Sequence, residues 1–304
     1  MMDEDTPALF ELRQAVPPAT YGLGEVEELD LGSTHAPGHS DDLSEGEPPQ
    51  SEELALWEEA TPRARRATRV WADLTHERSL FDRGARLVAG VDEVGRGALA
   101  GPVAVGVCVV DPTTQLPPVG LTDSKELSHE ARALLVPMIQ GWAVASAVGL
   151  ATPEEIDECG IVGALRLAGQ RALGEIMQRL GPVDTVLLDG SHNWLSEPVQ
   201  DLFDAVTSDQ QTIDGYEEPR VVTRVKADLA CASVAGASIL AKEHRDAIMR
   251  ELDHDFPHYG WVTNKGYASS GHTYALTTRG PTPHHRMSWR LPGVDADAAV
   301  NGEA

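Results

Sequence analysis

The sequence has little cysteine, little aromatic surface and half as much positive as negative charge. Its three cysteines, Cys108, Cys159 and Cys231, stand far apart in apolar segments. They make neither a disulfide framework nor a zinc spacing, so buried, reduced thiols are expected. Aromatic residues are 5% of the chain, and residues 1–60 are poor in them. No apolar run approaches the roughly 18 residues that a membrane helix needs. The start, Met1-Met-Asp-Glu-Asp, is acidic where a signal peptide would be basic, and no apolar stretch follows it. A cytoplasmic protein without a membrane partner is expected. His258, His272, His284 and His285 show no metal-ligand spacing.

The shortage of positive charge is uneven. Lys and Arg number 24 against 48 Asp and Glu, for a net charge of −24. Residues 1–60 hold 16 acids and one base, Arg13, so −15, and the remaining 244 residues carry −9. The balance excludes a broadly basic nucleic-acid coat. It leaves room for a local basic groove in the rest of the chain.

What is present falls into four parts. Residues 1–60 are rich in Glu, Asp, Pro, Gly and Ser and cannot bury enough surface to offset their ordering entropy, so a disordered acidic tail is expected. Residues 61–86 open with a basic cluster, Pro62-Arg-Ala-Arg-Arg-Ala, and continue as a helix to about Asp82. Residues 87–291 read as the folded domain, and 292–304 as a disordered tail. Within 191–219, the acids Asp201, Asp204, Asp209, Asp214, Glu217 and Glu218 point to a surface insertion.

Val88-Ala-Gly-Val-Asp92-Glu93-Val-Gly95-Arg96-Gly97-Ala-Leu-Ala-Gly101-Pro102-Val103 is the stretch that carries most information. An apolar run ends in two adjacent acids, a glycine turn with one arginine follows, and a second apolar run begins at once. Two acids at the end of a buried strand are costly unless a cation lies between them. Oxygen-only donors suit magnesium or manganese rather than zinc. The glycines let backbone N–H groups approach a bound group closely, and Arg96 adds a fork for phosphate.

Leu87–Glu93 and Val103–Val110 read as a hairpin, and Trp142–Leu150 as a third strand. Thr152-Pro153 opens a helix. A helix over 162–180 shows Leu165, Ala168, Ala172 and Ile176 on one face. Val183–Leu188 and Arg220–Val225 are two further strands, and 229–252 is a long helix. Three antiparallel strands followed by strands with helical crossovers predict an α/β protein, with a mixed five-stranded sheet flanked by helices and a helical C-terminal part.

Asp92, Glu93, Asp189 and Asp228 each read as ending an apolar strand. One such acid is as readily a cap as a ligand; four in one sheet favour convergence on a site. Divalent ions bridged by them would suit in-line displacement at a phosphodiester.

In order along the chain come Val91-Asp92-Glu93-Val-Gly95-Arg96-Gly97, Gly101-Pro102-Val103, Leu121-Thr-Asp-Ser-Lys125, Leu188-Asp189-Gly190, Lys226-Ala227-Asp228, Ala237-Ser-Ile-Leu-Ala-Lys242 and Arg245-Asp246. Lys265-Gly266-Tyr267 and His285-Arg286 follow. Over about 75–291 this set resembles ribonuclease HII, of the bacterial type 2 ribonucleases H. The resemblance implies an RNase H-like fold, cleavage of RNA in RNA–DNA hybrids, and incision 5′ to single ribonucleotides in duplex DNA, with a place in ribonucleotide excision repair. It implies Mg2+ or Mn2+ as cofactor, Asp92, Glu93, Asp189 and Asp228 as catalytic acids, and the first three as metal ligands. By the same resemblance, Gly95, Arg96 and Gly97 read the 2′-hydroxyl, Lys125 contacts phosphate and Tyr267 stacks at the RNA–DNA junction. A monomer is expected, and no protein partner is named.

Two positions depart from the family pattern: Ala227 stands where glycine is usual, and Gly236 where alanine is usual. Ribonuclease HIII is the nearest rival, but it would carry a folded sheet-forming N-terminal domain and a glutamate as fourth acid. A catalytically silent binding module on the same fold would be expected to have lost an acid.

Overall fold

The computed structural model describes residues 71–196 and 213–294. The acidic segment 1–60, the basic cluster at 62–67, most of the acidic insertion and the tail from 295 onward lie outside the described residues.

The first described helix, α1, spans Thr75–Phe81. Strands β1 (Val88–Val94) and β2 (Val103–Val110) follow, then a 3-10 turn at Ser124–Glu126 and helix α2 (His129–Trp142). Next come β3 (Ala145–Ala151), α3 (Pro153–Leu180), β4 (Thr185–Asp189) and β5 (Arg220–Arg224). The chain continues through α4 (Ala227–Ala230) and α5 (Ala232–Asp255), a 3-10 turn at Pro257–Tyr259, α6 (Trp261–Asn264) and α7 (Ser270–Arg279).

The sheet order is β3-β2-β1-β4-β5. β1 and β3 run antiparallel to β2, whereas β4 is parallel to both β1 and β5. This is the mixed five-stranded sheet that the pattern predicts, and helices cover both of its faces. β2 is buried along its whole length, which accounts for its unbroken apolar reading. Val103, Val105, Val107 and Val109 pack with Leu165, Ala168, Leu173 and Ile176 of α3. Cys108 and Val110 pack on the other face with Val234, Ala235 and Ile239 of α5.

That second contact depends on missing side chains. A Cβ on Gly90 of β1 would lie 2.2 Å from the Ser233 carbonyl carbon, and one on Gly106 of β2 would lie 2.1 Å from the Ala237 carbonyl oxygen. The small-residue start of α5 therefore lies directly on the sheet, next to the acid pair at the end of β1.

Helix α3 unites the start expected at Thr152-Pro153 with the helix expected over 162–180: Thr152 and Glu155 form a reciprocal capping box, and the helix breaks only at Gly160, which has φ 70°. Asp157, in the first part of α3, accepts the Met287 and Ser288 N–H groups at 2.8 and 2.9 Å. Other expectations need correction. Cys159 is exposed, on the outer side of that break, while Cys108 and Cys231 are buried. The segment after β4 is not all surface, since Trp194 and Leu195 are buried against α3. The long helix is interrupted at Cys231, whose extended backbone separates α4 from α5. Among the described residues no helix is long and apolar enough to cross a membrane.

Candidate active site

Strand alternation aims the acids. Even-numbered residues of β1 face α5, so Asp92 points at that helix, where the Ser238 hydroxyl hydrogen-bonds its carboxyl. β1 and β4 are paired at Val91 and Leu188; one residue further on, Asp92 and Asp189 are neighbours on the same face. Glu93 faces the other way, and its Oε1 lies 3.4 Å from the Arg96 guanidinium.

Asp228 is not at a strand end, as its place in the sequence suggested. β5 stops at Arg224, Lys226 takes a left-handed conformation (φ 57°, ψ 40°), and Asp228 lies in the first turn of α4. Asp189 Oδ1 accepts the Ala227 N–H at 2.7 Å, which holds that turn against β4. The left-handed residue is Lys226 and not the next one, so alanine at 227 is tolerated.

Charge in this group is unbalanced. Burial pushes the Asp92 carboxyl up to about 8. Its hydrogen bond from Ser238 opposes the shift, while the charges of Glu93, Asp189 and Asp228 add to it. Burial also raises Glu93, against the pull of Arg96. Asp228 rises to about 6 through burial and then the charges of Asp189 and Asp123, with Lys125 opposing. Lys125 Nζ is 3.9 Å from Asp228 Oδ2 and 3.8 Å from Asp123 Oδ1. The Lys125 pKa is raised: burial would lower it, but Asp123, Asp92, Asp228 and Asp189 outweigh burial.

Asp92, Glu93, Val94, Ser124, Lys125, Ser238, Lys242 and Tyr267 line a cleft of about 260 Å³. Asp189 and Asp228 are not on its wall, but their charges reach Asp92. A more open hollow of about 380 Å³ by Val144, Ala145 and Arg179 contains none of the acids.

The donor chemistry fits a hard divalent cation: oxygen donors only, one of them deeply buried, with more negative charge than the nearby cations offset. Among the described residues, no three Asp, Glu, His or Cys side chains stand close enough together to hold a metal ion as they lie. Asp92 and Glu93 line the cleft, and Asp189 and Asp228 act on it through their charges.

The glycine turn after β1 is held from behind by two buried arginines. Arg245 of α5 donates to the carbonyls of Pro102, Lys265 and Ala100 at 2.8, 2.8 and 3.1 Å. A Cβ on Gly95 (φ +84°) would lie 2.1 Å from Arg245 Nε, so this position admits only glycine. Arg286 donates to the Gly95, Arg96 and Gly101 carbonyls. Arg286 thus joins the C-terminal segment to the turn.

Tyr267 stands beside this turn. Its ring lies 5.8 Å from the Arg245 guanidinium carbon, and it is 39% exposed, enough to meet a ligand. Its carbonyl hydrogen-bonds His272 Nδ1 at 3.0 Å. A carbonyl only accepts, so His272 carries its proton on Nδ1, and its Nε2 accepts from Trp261 Nε1 and from His285 Nε2. His285 Nδ1 in turn accepts the Thr282 N–H. Both rings are neutral; burial lowers both pKa values, that of His285 to about 4.

On the opposite wall, Lys242 pairs with Asp246 and Arg132 donates to the Ser124 and Leu127 carbonyls at 3.0 and 2.7 Å. With the Ser238 proton on Asp92, the Ser238 oxygen accepts from the Ser124 hydroxyl at 3.0 Å. Neither Ser238 nor Arg132 stood out from the sequence; the run of small residues at the start of α5 was the available signal.

Comparison with known proteins bears on this arrangement. The family model described as Ribonuclease HII matches residues 89–291. The chain belongs to the ribonuclease HII family. It is 46% identical over 216 residues to ribonuclease HII of Streptomyces coelicolor, covering 71% of this chain and 82% of that one. It is 40% identical over 222 residues to ribonuclease HII of Synechococcus sp., covering 72% and 89%. Among solved structures, Bst-RNase HIII in complex with Mn2+ superposes with a TM-score of 0.51 at 22% identity, covering 69% of this chain and 68% of that one. That likeness concerns the fold, which is RNase H-like. As a ribonuclease HII, the chain is a ribonuclease H, EC 3.1.26.4, of a family that cleaves the RNA of RNA–DNA hybrids.

Proposed function

We propose that this ribonuclease HII is metal-dependent, and that besides the RNA strand of hybrids it incises duplex DNA 5′ to single embedded ribonucleotides, leaving 5′-phosphate and 3′-hydroxyl ends. The observation that carries the metal dependence is the Asp92 carboxyl, buried to 6% exposure with its pKa pushed up to about 8 by burial and by three acids around it. Such a group ionises at neutral pH only beside a cation.

Asp92, Glu93 and Asp189 would hold the cation, with Asp228 placed for the leaving-oxygen side. Mg2+ or Mn2+ suits these donors. Bound there, two such ions would supply water activation and charge neutralisation at the scissile phosphate. The chain's own residues do the selecting. The Gly95-Arg96-Gly97 backbone meets the ribose, Arg96 and Lys125 offer positive charge to phosphate, and the exposed Tyr267 ring offers a face to the sugar at the junction. A reader of the 2′-hydroxyl is what separates RNA from DNA at one nucleotide.

The test is a labelled DNA duplex with one internal ribonucleotide, incubated with Mg2+, Mn2+ or chelator beside an all-DNA control. The expected result is a single metal-dependent cut 5′ to the ribonucleotide. Cleavage of a long hybrid alone would replace this reading with HIII-like specificity. No cut of either substrate would leave only a binding module.

A further inference from the structure

The turn between β1 and β2 is built so that its carbonyls point inward. Arg286, fully buried, places its guanidinium 2.7 Å from the Gly95 oxygen, 2.9 Å from the Arg96 oxygen and 3.1 Å from the Gly101 oxygen. The Trp289 ring packs over it at 4.8 Å. The backbone around Arg286 is joined to the same turn: its N–H donates to the Leu99 carbonyl at 3.0 Å, and the Gly101 N–H donates to the His284 carbonyl at 2.8 Å.

A trans peptide sets its N–H opposite its C=O, and the described residues contain no cis peptide. The Gly95 carbonyl shares its peptide with the Arg96 N–H, and the Arg96 carbonyl shares its peptide with the Gly97 N–H. Once both oxygens are turned onto Arg286, both N–H groups must point outward, on the side where Gly97 and the Tyr267 ring are neighbours.

We propose that Arg286 is a positioning residue for substrate selection: by seizing the Gly95 and Arg96 carbonyls, it aims the Arg96 and Gly97 N–H groups at the ribose and so sets the preference for ribose over deoxyribose. The inference rests on the reading of this loop given under Proposed function. A planar fork of five donors suits the task, whereas the ammonium of lysine cannot span three carbonyls in this way.

Two measurements test it. The first uses the unaltered protein and amide hydrogen exchange. The Arg96 and Gly97 amides should exchange freely; strong protection of both would overturn the assignment, because they would then point inward. This arm needs neither variant nor substrate.

The second measures binding by fluorescence anisotropy, with chelator present so that no strand is cut, to a DNA duplex with one ribonucleotide and to its all-DNA counterpart. Arg286→Lys should lose about tenfold of the preference for the ribonucleotide duplex, the effect of one to two hydrogen bonds, with all-DNA binding unchanged. Asp157→Ala is the control: it frees the adjacent Met287 and Ser288 N–H groups without touching the guanidinium, and should keep the preference. A preference in Arg286→Lys within about twofold of the parent, or an equal loss in Asp157→Ala, would overturn the proposal. A parent with no preference would instead sink the reading of the loop itself, and the exchange arm would still decide where Arg286 aims it.

Discussion

Asp189 Oδ1 accepts the Ala227 N–H at 2.7 Å, and this one bond joins the end of β4 to the short helix that carries Asp228. Oδ1 serves the fold, and under the proposed function the other oxygen serves the cation. Asp189→Asn can keep the first and lose the charge; Asp189→Ala loses both. Both variants should be inactive in hybrid cleavage, while the alanine variant should also be less stable than the asparagine variant by about 1–2 kcal/mol, read from urea denaturation. Equal stability of the two would mean that the bond contributes nothing.

The stability of the metal-free protein should fall with rising pH. Asp92 has a folded pKa of about 8 against 3.8 unfolded, so the folded state holds its proton more tightly. That contribution is fully present below the unfolded value and is lost as pH rises through the folded value. Thermal melts in chelator should show a lower Tm at about pH 9 than at about pH 5, with the slope reduced in Asp92→Asn and the loss offset by added Mg2+. A metal-free Tm that climbs over this range would contradict the burial of an uncompensated carboxyl.

Lys125 opposes the rise of the Asp228 pKa, which burial and then the charges of Asp189 and Asp123 push up to about 6. Removing its charge should therefore raise that pKa. The acid limb of the pH–kcat profile should move to higher pH in Lys125→Ala and return toward the parent position in Lys125→Arg. An acid limb that stays in place would separate Lys125 from Asp228 in function.

Tyr267→Ala should weaken binding to a duplex with an RNA–DNA junction by about 1–3 kcal/mol, the worth of a lost aromatic stacking platform, and leave thermal stability nearly unchanged, since the ring is part exposed. Equal loss on junction and all-DNA duplexes would remove Tyr267 from the reading of the junction.

Gly90→Ala should destabilise the fold by about 1–3 kcal/mol, because the added Cβ meets the backbone of α5 at 2.2 Å. Calorimetry showing an unchanged Tm would mean that α5 can withdraw from the sheet at no cost.

Much of this protein was legible in one dimension. Period and chain punctuation placed β2 at 103–110 to the residue, gave Thr152 as a cap, and gave the buried face of α3 through Leu165, Ala168, Ala172 and Ile176, because local backbone preference and burial agree there. The adjacent acids at the end of an apolar run predicted a cation site, since a buried negative pair demands one, and the ordered motifs pointed to the family.

What the sequence could not decide by itself was everything carried by long-range contact. Nothing local marks Asp228 as sitting in a helix turn: Asp189, 38 residues before Ala227, is what secures that turn. Nothing local shows that Asp157 holds the chain at 287–288. The sequence marks His285-Arg286 as a motif but gives it no part in the site; only folding brings Arg286 within 2.7 Å of a carbonyl 191 residues earlier. Residue identity and spacing determined which chemistry is available, because charge and side-chain period are properties of the chain. Tertiary structure decided how that chemistry is aimed, because the direction of a carbonyl or an N–H is set by partners that only the packed sheet and helices bring within reach.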